Sequence, residues 1–325
     1  MSVVPSPHST AAARRIDPLA PSAPGLYTDH LVRVVHHPRT TEEAPSGPDS
    51  RRGRAAQDVP PQPIVRTEHF VLRRRGRRIE LSHRLRPEQL DNDLAGLLAG
   101  ELFAPGWLSG SDVFERVFTG VVRSCVDGPL PAWTTFYGNT LTRIRQHWQS
   151  PEQAVHSSIA GFAPVYRRTL DLVGPGSVLD LGSCFGFLPL LLAEREGRTV
   201  TASDLSRGTM RLLGTVAGAR GLTLEVLVCD AAQVPLPDGA ADTVTVIHVL
   251  EHLDAGHGDA VLREALRLAR RRVVVAVPYE DEPTAAYGHV RCFSPRQLTD
   301  LGRRTGHPFQ VGTHHGGWLV VDPRR

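Results

Sequence analysis

The chain has 325 residues and a formal net charge of +3, a length that accommodates one large domain or two small ones. All 37 basic residues are arginine, so lysine Schiff-base catalysis and a Walker-type phosphate loop are excluded. The modest charge fits an arginine coding bias better than a nucleic-acid surface, and the four cysteines, Cys125, Cys184, Cys229 and Cys292, include no CxxC pair to suggest a zinc site or a disulfide framework.

Residues 1–24 are rich in Pro, Ser and Ala, and residues 38–63 in Pro, Gly and charge. Such compositions bury too little apolar surface to offset the entropy of ordering, which predicts a disordered tail and a long flexible loop. The N-terminus lacks the apolar core of a signal peptide, and no run approaches the roughly 20 apolar residues that cross a bilayer. A soluble, cytoplasmic protein with no membrane partner is therefore expected. Between tail and loop, LYTDHLVRVVHH predicts a short strand. HFVLRRRGRRIELSHRL places Phe70 and Leu72 before an Arg75-Gly76 turn and Ile79 and Leu81 after it, the alternation of a hairpin. Its arginines read as a solvated face or, alternatively, as a basic grip on an acidic acceptor. Pro87 opens a helix with Leu90, Leu94, Leu97 and Leu98 on one face. A second helix starts near Ser111 and carries Val113, Phe114, Val117, Phe118, Val121 and Val122, and a third is opened by Pro131. No nucleotide or metal motif occurs here, so the aromatics read as core. Residues 25–150 are expected to be an accessory region, smaller than the domain that follows and covering its acceptor side.

Over residues 151–325 the texture changes. SVLDL, RTVTASD, EVLVCD, ADTVTVIHV and RRVVVAVP are short β-branched runs separated by helix-length segments, the signature of a doubly wound α/β domain with a mostly parallel sheet. FQVGTHHGGWLVV reads as two strands joined by a short turn, which requires an antiparallel last strand.

Ligands of such sheets sit beyond the carboxyl ends of the strands. The first strand ends at Asp180 and feeds a turn holding Gly182, Cys184 and Gly186. The second ends at Asp204, 24 residues on, where a carboxylate takes ribose hydroxyls, and the third at Asp230, near an adenine position. The dinucleotide fingerprint G-x-G-x-x-G fails at Cys184 and Phe187, and a carboxylate at Asp180 repels a diphosphate. The same carboxylate suits the cationic S-adenosylmethionine, which has a ribose and an adenine but no phosphate. A nicotinamide-dependent reductase and a non-catalytic S-adenosylmethionine-binding protein are the rivals.

VLDLGSCFGF, TASDLS, VCDAAQVPLPDGAADTVTVIHVLEHLD and VVVAVPYEDE resemble the class I S-adenosylmethionine-dependent methyltransferases, a Rossmann-like fold, over roughly residues 155–325. That superfamily writes its first motif D-x-G-x-G-x-G, and Cys184 departs at the middle glycine. Without a diphosphate to cradle, a small residue suffices there. A closer resemblance, carried by GLYTDHLV, ELFAPGW, VFERVFTGVVRS, DLGSCFGFLPLLLA, EDEPTAAYGHVRCF and HHGGWLV, is to the mycofactocin oligosaccharide methyltransferases of actinobacteria. It implies O-methylation of a sugar hydroxyl on the glucose chain of that redox cofactor, with a small glycosylated acceptor and no nucleic acid as partner.

Methyl transfer to a hydroxyl needs alignment and a group that takes the proton. His252, in LEHLD, and His289, in YGHVRCF, follow the fourth and fifth strands and are the candidate bases, with Glu251 to orient an imidazole or bind a hydroxyl. Glu280, Asp281 and Glu282 form an acidic run suited to sugar hydroxyls or a hard cation, although consecutive side chains cannot all face one ion. No metal is expected in the reaction. Arg291 is a candidate clamp on the acceptor or a partner of the acidic run. A phenol or quinone-like metabolite is the alternative acceptor.

Overall fold

The computed structural model describes residues 16–37, 64–150, 157–284 and 288–324. The loop expected at 38–63 and residues 1–15 of the expected tail lie outside the described residues. Residues 16–24 correct the remainder of that expectation. The Pro18 carbonyl accepts from Arg123 Nη1 at 2.7 Å and from Trp133 Nε1 at 2.8 Å, while the Ala20 carbonyl and the Ser22 hydroxyl take Arg123 Nη2. The segment is ordered through oxygens that take both terminal nitrogens of a buried guanidinium, a contribution that composition does not register.

The first sheet has the order β1-β2-β5-β4-β3. β1 (Leu26–Thr28) is antiparallel to β2 (Val32–His36), and β2 runs parallel to β5 (Arg78–His83). β5 forms the predicted hairpin with β4 (Phe70–Arg75), and β3 (Val65–Arg66) closes the edge. Phe70, Leu72, Ile79 and Leu81 are buried on one face, as the alternation requires, while Arg73, Arg74, Arg75 and Arg78 at the turn end of the hairpin are exposed. α2 (Ser111–Cys125) packs on β1 and β2. Gly120 permits that approach, because a Cβ there would lie 2.4 Å from Val34 Cγ2.

The leucine helix expected from Pro87 is interrupted. A 3₁₀ turn at Pro87–Gln89 gives way to extended backbone at Leu90, and α1 covers only Leu94–Leu98 before a π turn. Asp91, Asn92 and Asp93 explain the break: Asp91 Oδ1 accepts the Asp93 amide, the local bond by which such side chains compete with a helix. Asp93 in turn accepts the Ile159 amide and the Ser157 hydroxyl at the start of α4 (Ser158–Leu172). α3 (Pro129–Gln149) starts two residues before the expected Pro131 and packs against α4, α5 (Phe187–Ala193) and α6 (Arg207–Ala219).

The second sheet has seven strands in the order β11-β12-β10-β9-β6-β7-β8. β6 (Gly176–Leu181), β7 (Arg198–Asp204), β8 (Glu225–Val228), β9 (Ala241–Ile247) and β10 (Ala269–Val277) pair in parallel. β12 (Gly317–Val321) is antiparallel to both β10 and β11 (Phe309–Thr313). This is the expected Rossmann-like α/β fold, with an antiparallel last strand and a smaller sheet in front. Val178, Val200, Val274 and Ala276 point into the core shared with the N-terminal elements. Leu179, Leu181, Val244 and Val275 point to the opposite face, under α7 (Ala255–Leu268) and α8 (Pro295–Thr305). The core is thus continuous across residue 150, since Tyr27, Phe118 and Tyr137 belong to the same buried cluster as Leu190 and Met210. Among the described residues no helix is long and apolar enough to cross a membrane.

Candidate functional site

The turn after β6 takes the left-handed backbone at alternate positions, with φ of 72° at Gly182, 49° at Cys184 and 77° at Gly186. At the two glycines a side chain is also shut out by packing: a Cβ would lie 2.7 Å from Val249 Cγ2 at Gly182 and 2.3 Å from Leu213 Cδ2 at Gly186. Cys184 shows why a glycine suits the middle position, for a side chain in this region costs on the order of 1–2 kcal/mol. The departure from the expected motif is a conformational cost, met by bonds that fix the turn. The Cys184 amide donates to Asp204 Oδ2 at 3.0 Å, the Ser183 amide to the Ser203 carbonyl at 2.8 Å, and the Tyr137 hydroxyl of α3 to the Phe185 carbonyl at 2.7 Å.

Asp180 is buried beneath this turn. Burial pushes its carboxyl up to about 6, the Thr245 and Ser183 hydroxyls pull the other way, and nearby Asp204 adds to the rise. Thr245 Oγ1 donates to Asp180 Oδ1 at 2.6 Å. Asp204, at the end of β7, accepts the Ser206 amide on its other oxygen at 2.8 Å, which leaves lone pairs on both oxygens. Next to it Leu205 is 64% exposed, an apolar side chain held out over the strand ends. Asp230, at the end of β8, accepts from the Ala232 amide and from His257 Nε2. Burial alone would raise its pKa, and these two partners hold it below the usual carboxylate range.

A cleft at the turn is lined by Asp180, Gly182, Ser183, Cys184 and Phe185, together with Asn92, Phe162, Tyr166 and His248. Asn92 comes from the N-terminal region and Phe162 and Tyr166 from α4. A cation meets Asp180 and aromatic faces in this lining, which fits the cationic end of S-adenosylmethionine.

Beyond β9 and β10 lies a second group of polar side chains. The Val290 amide donates to the Glu251 carbonyl at 2.9 Å, and this bond lays the 288–292 segment beside the 3₁₀ turn Leu250–His252. Predicted residues Glu251, His252 and His289 are thereby brought together, with the His252 and His289 ring centroids 4.9 Å apart. His252 Nδ1 lies 3.2 Å from the Gly288 carbonyl, and burial lowers its pKa, so the ring is neutral at physiological pH. His289 Nδ1 lies 2.7 Å from Glu280. Glu280 faces inward, also accepting from Thr284, whereas Asp281 and Glu282 are exposed, so the acidic run does not act as one unit. Arg291 lies over the Phe293 ring at 4.5 Å and against α7 near Gly258, outside the residues that line the cleft.

Sequence reasoning missed His248. In VTVIHV it takes an alternating position of a strand and reads as interior. The structure gives it a φ of 55° just past the end of β9, its ring edge-on to Phe162 at 5.1 Å. Its Nδ1 is 3.0 Å from Glu251 Oε1, and its buried Nε2 has no hydrogen-bond partner among the described residues. Glu251 itself is 0% exposed, and the ion contact to His248 lacks the angle of a hydrogen bond, so neither carboxylate oxygen has such a partner there.

Comparison with known proteins agrees with this geometry. Residues 179–277 match the family described as "Methyltransferase domain". A demethylmenaquinone methyltransferase of Thermus thermophilus is 34% identical over 142 residues, covering 42% of this chain and 64% of that protein. A ubiquinone/menaquinone biosynthesis C-methyltransferase of Paraburkholderia phymatum is 34% identical over 101 residues, covering 30% of this chain and 41% of that one. A nocamycin O-methyltransferase of Saccharothrix syringae is 39% identical over 90 residues, covering 26% and 32%. The chain thus spans less than two thirds of the length of these curated relatives. Among solved structures, a SAM-dependent methyltransferase from Aquifex aeolicus superposes with a TM-score of 0.42 at 19% identity, covering 56% of this chain and 96% of that one. Residues 179–277 thus resemble a methyltransferase domain, and the strand order and the glycine-held turn between Asp180 and Asp204 fit the S-adenosylmethionine expected from the sequence.

Proposed function

We propose that the chain is an S-adenosylmethionine-dependent O-methyltransferase acting on a sugar hydroxyl of the oligoglucose chain of mycofactocin. The observation that carries the methyl-transfer reading is the glycine-held turn between two strand-end carboxylates, Asp180, which lines the cleft, and Asp204, which accepts the Cys184 amide. Asp180 would face the cationic end of the cofactor, Asp204 its ribose and Leu205 its adenine. When bound, the cofactor supplies an electrophilic methyl group. Phe162, Tyr166 and Phe185 exclude water around that point. His248, which lines the cleft, takes the hydroxyl proton on Nε2, while Glu251 beside Nδ1 stabilises the resulting imidazolium. The sugar acceptor rests on the resemblance of the whole chain to the oligosaccharide methyltransferases. It is supported by the hydrogen-bonding character of the Glu251, His252, Glu280 and His289 group.

A quinone-like acceptor is the second reading, favoured by the aromatic wall of the cleft and by the names of the matched menaquinone enzymes. Incubating the chain with S-adenosylmethionine and either an oligoglucosylated acceptor or a demethylmenaquinone, with mass spectrometry of the products, separates the two. Methylation of neither, with cofactor bound, would leave a binding protein. His248→Ala is expected to slow single-turnover methylation by about 100- to 10,000-fold with little change in cofactor affinity. An unchanged rate would remove it as the base.

A further inference from the structure

We propose that Glu251, His252 and His289 form a binding site for a first-row divalent cation of the zinc type, beside the cleft on its acceptor side. Each of the three offers one ligand atom, and these atoms all lie within 4.8 Å of one another. A point therefore exists no more than about 2.8 Å from all three, so less than about 1 Å of closure brings them to the roughly 2.0–2.2 Å of zinc–nitrogen and zinc–oxygen bonds. Side-chain rotation of this size needs no change of fold.

Two further observations point to a ligand. Glu251 is 0% exposed, and neither of its oxygens has a hydrogen-bond partner among the described residues. A divalent cation would compensate this buried carboxylate, whose ion contact among the described residues is His248 Nδ1 at 3.0 Å. The histidines are also oriented as ligands are, with Nδ1 of His252 against the Gly288 carbonyl and Nδ1 of His289 against Glu280. Donation from Nδ1 selects the tautomer with its lone pair on Nε2, the arrangement by which outer partners fix a metal-binding imidazole. Two imidazoles and one carboxylate favour a borderline transition metal over magnesium or calcium, which prefer all-oxygen sets. Three protein ligands leave coordination positions open. On the O-methyltransferase reading, and resting on it, those positions would take an oxygen of the acceptor. Glu68, His69 and Glu101 form a second such group, but there His69 and Glu101 already satisfy one another at 2.6 Å and Glu68 is exposed.

The test uses the full chain and does not depend on turnover. Metal-stripped protein is titrated with Co2+, followed by its visible absorption, and with Zn2+ by competition against a chromophoric chelator. One ion per chain is expected, with affinity reduced about 10- to 100-fold by Glu280→Gln and by at least about 100-fold by His252→Ala or His289→Ala. Retained S-adenosylmethionine binding shows that a variant is folded. For a variant that is not, diethyl pyrocarbonate labelling of the wild-type chain decides the matter, because Zn2+ should protect His252 and His289 in peptide mass spectra. Absence of binding at millimolar metal, binding unchanged in both histidine variants, or labelling indifferent to Zn2+ would overturn the site. Each of these results is independent of whether any acceptor is methylated.

Discussion

Asp180→Asn should make the cofactor-free chain more stable while weakening its hold on S-adenosylmethionine. The Asp180 carboxyl is buried and titrates at about 6 in the folded chain, against an ordinary value of 3.8. The difference of roughly two units, at 1.36 kcal/mol each, means that ionised Asp180 costs the folded state about 3 kcal/mol at neutral pH. Asparagine removes the charge and keeps an oxygen for Thr245. Its new amide donor must find an acceptor, which offsets part of the gain, so a net stabilisation of about 1–3 kcal/mol is expected. The sign of the pH dependence follows from linkage. Because the folded pKa lies above the unfolded one, the penalty is full above about pH 6, shrinks as pH falls toward 4, and vanishes below the unfolded value. Urea unfolding of both proteins should therefore show the variant ahead near pH 7.5 and the two converging near pH 4. Calorimetry should show cofactor affinity lowered by about 10- to 100-fold, the scale of a lost charge-assisted contact. A variant less stable than wild type near neutrality, or one whose stability rises as steeply with acid, would refute the linkage argument, and unchanged affinity would remove Asp180 from the cofactor site.

Gly186→Ala should cost roughly 2–5 kcal/mol in urea unfolding, the sum of left-handed backbone strain and overpacking against Leu213. Deleting residues 1–15 should leave the melting temperature unchanged, whereas deletion through Pro24 should destabilise by about 3–5 kcal/mol because Arg123 and Trp133 lose the Pro18 and Ala20 carbonyls; equal melting temperatures for the two truncations would show the segment to be inert. Tyr137→Phe removes the donor to the buried turn and should destabilise by about 1–3 kcal/mol, with weaker cofactor binding in the same calorimetric assay.

The parallel sheet was legible because its strands are β-branched runs, the central ones buried on both faces, and Asp180, Gly182, Gly186 and Asp204 could be placed at or just beyond strand ends because the apolar runs stop there. The position of Glu251 beside His252 and His289 was only half visible. Their placement after β9 and β10 could be read, but the Val290 to Glu251 backbone bond that joins the two segments could not. His248 escaped notice because alternation assigns a residue to a strand face without reporting a reversal of φ at the last position. The surroundings of Arg291 were not legible for a related reason: a charge in a loop has several partners within reach, and here the Phe293 ring and α7 hold it. The leucine spacing after Pro87 was sound, yet the three consecutive Asx side chains at 91–93 outweighed it by offering the backbone local bonds. Residues 16–24 show the same limit, since composition measures what a segment can bury and says nothing of the carbonyls it can lend.

The bond from Tyr137 to the Phe185 carbonyl also orders events during synthesis. Trp133, Phe136 and Tyr137 pack their rings against Phe185 and Phe187, so the aromatic side of α3 stays uncovered until the chain has grown about 48 residues beyond Tyr137. At roughly 5–20 residues per second this is an interval of about 2–10 s in which a nascent chain presents an apolar helix face to its surroundings. Fragments that stop near residue 150 never leave that interval. They should partition into aggregates or onto chaperones, even though every strand of the first sheet is already present in them.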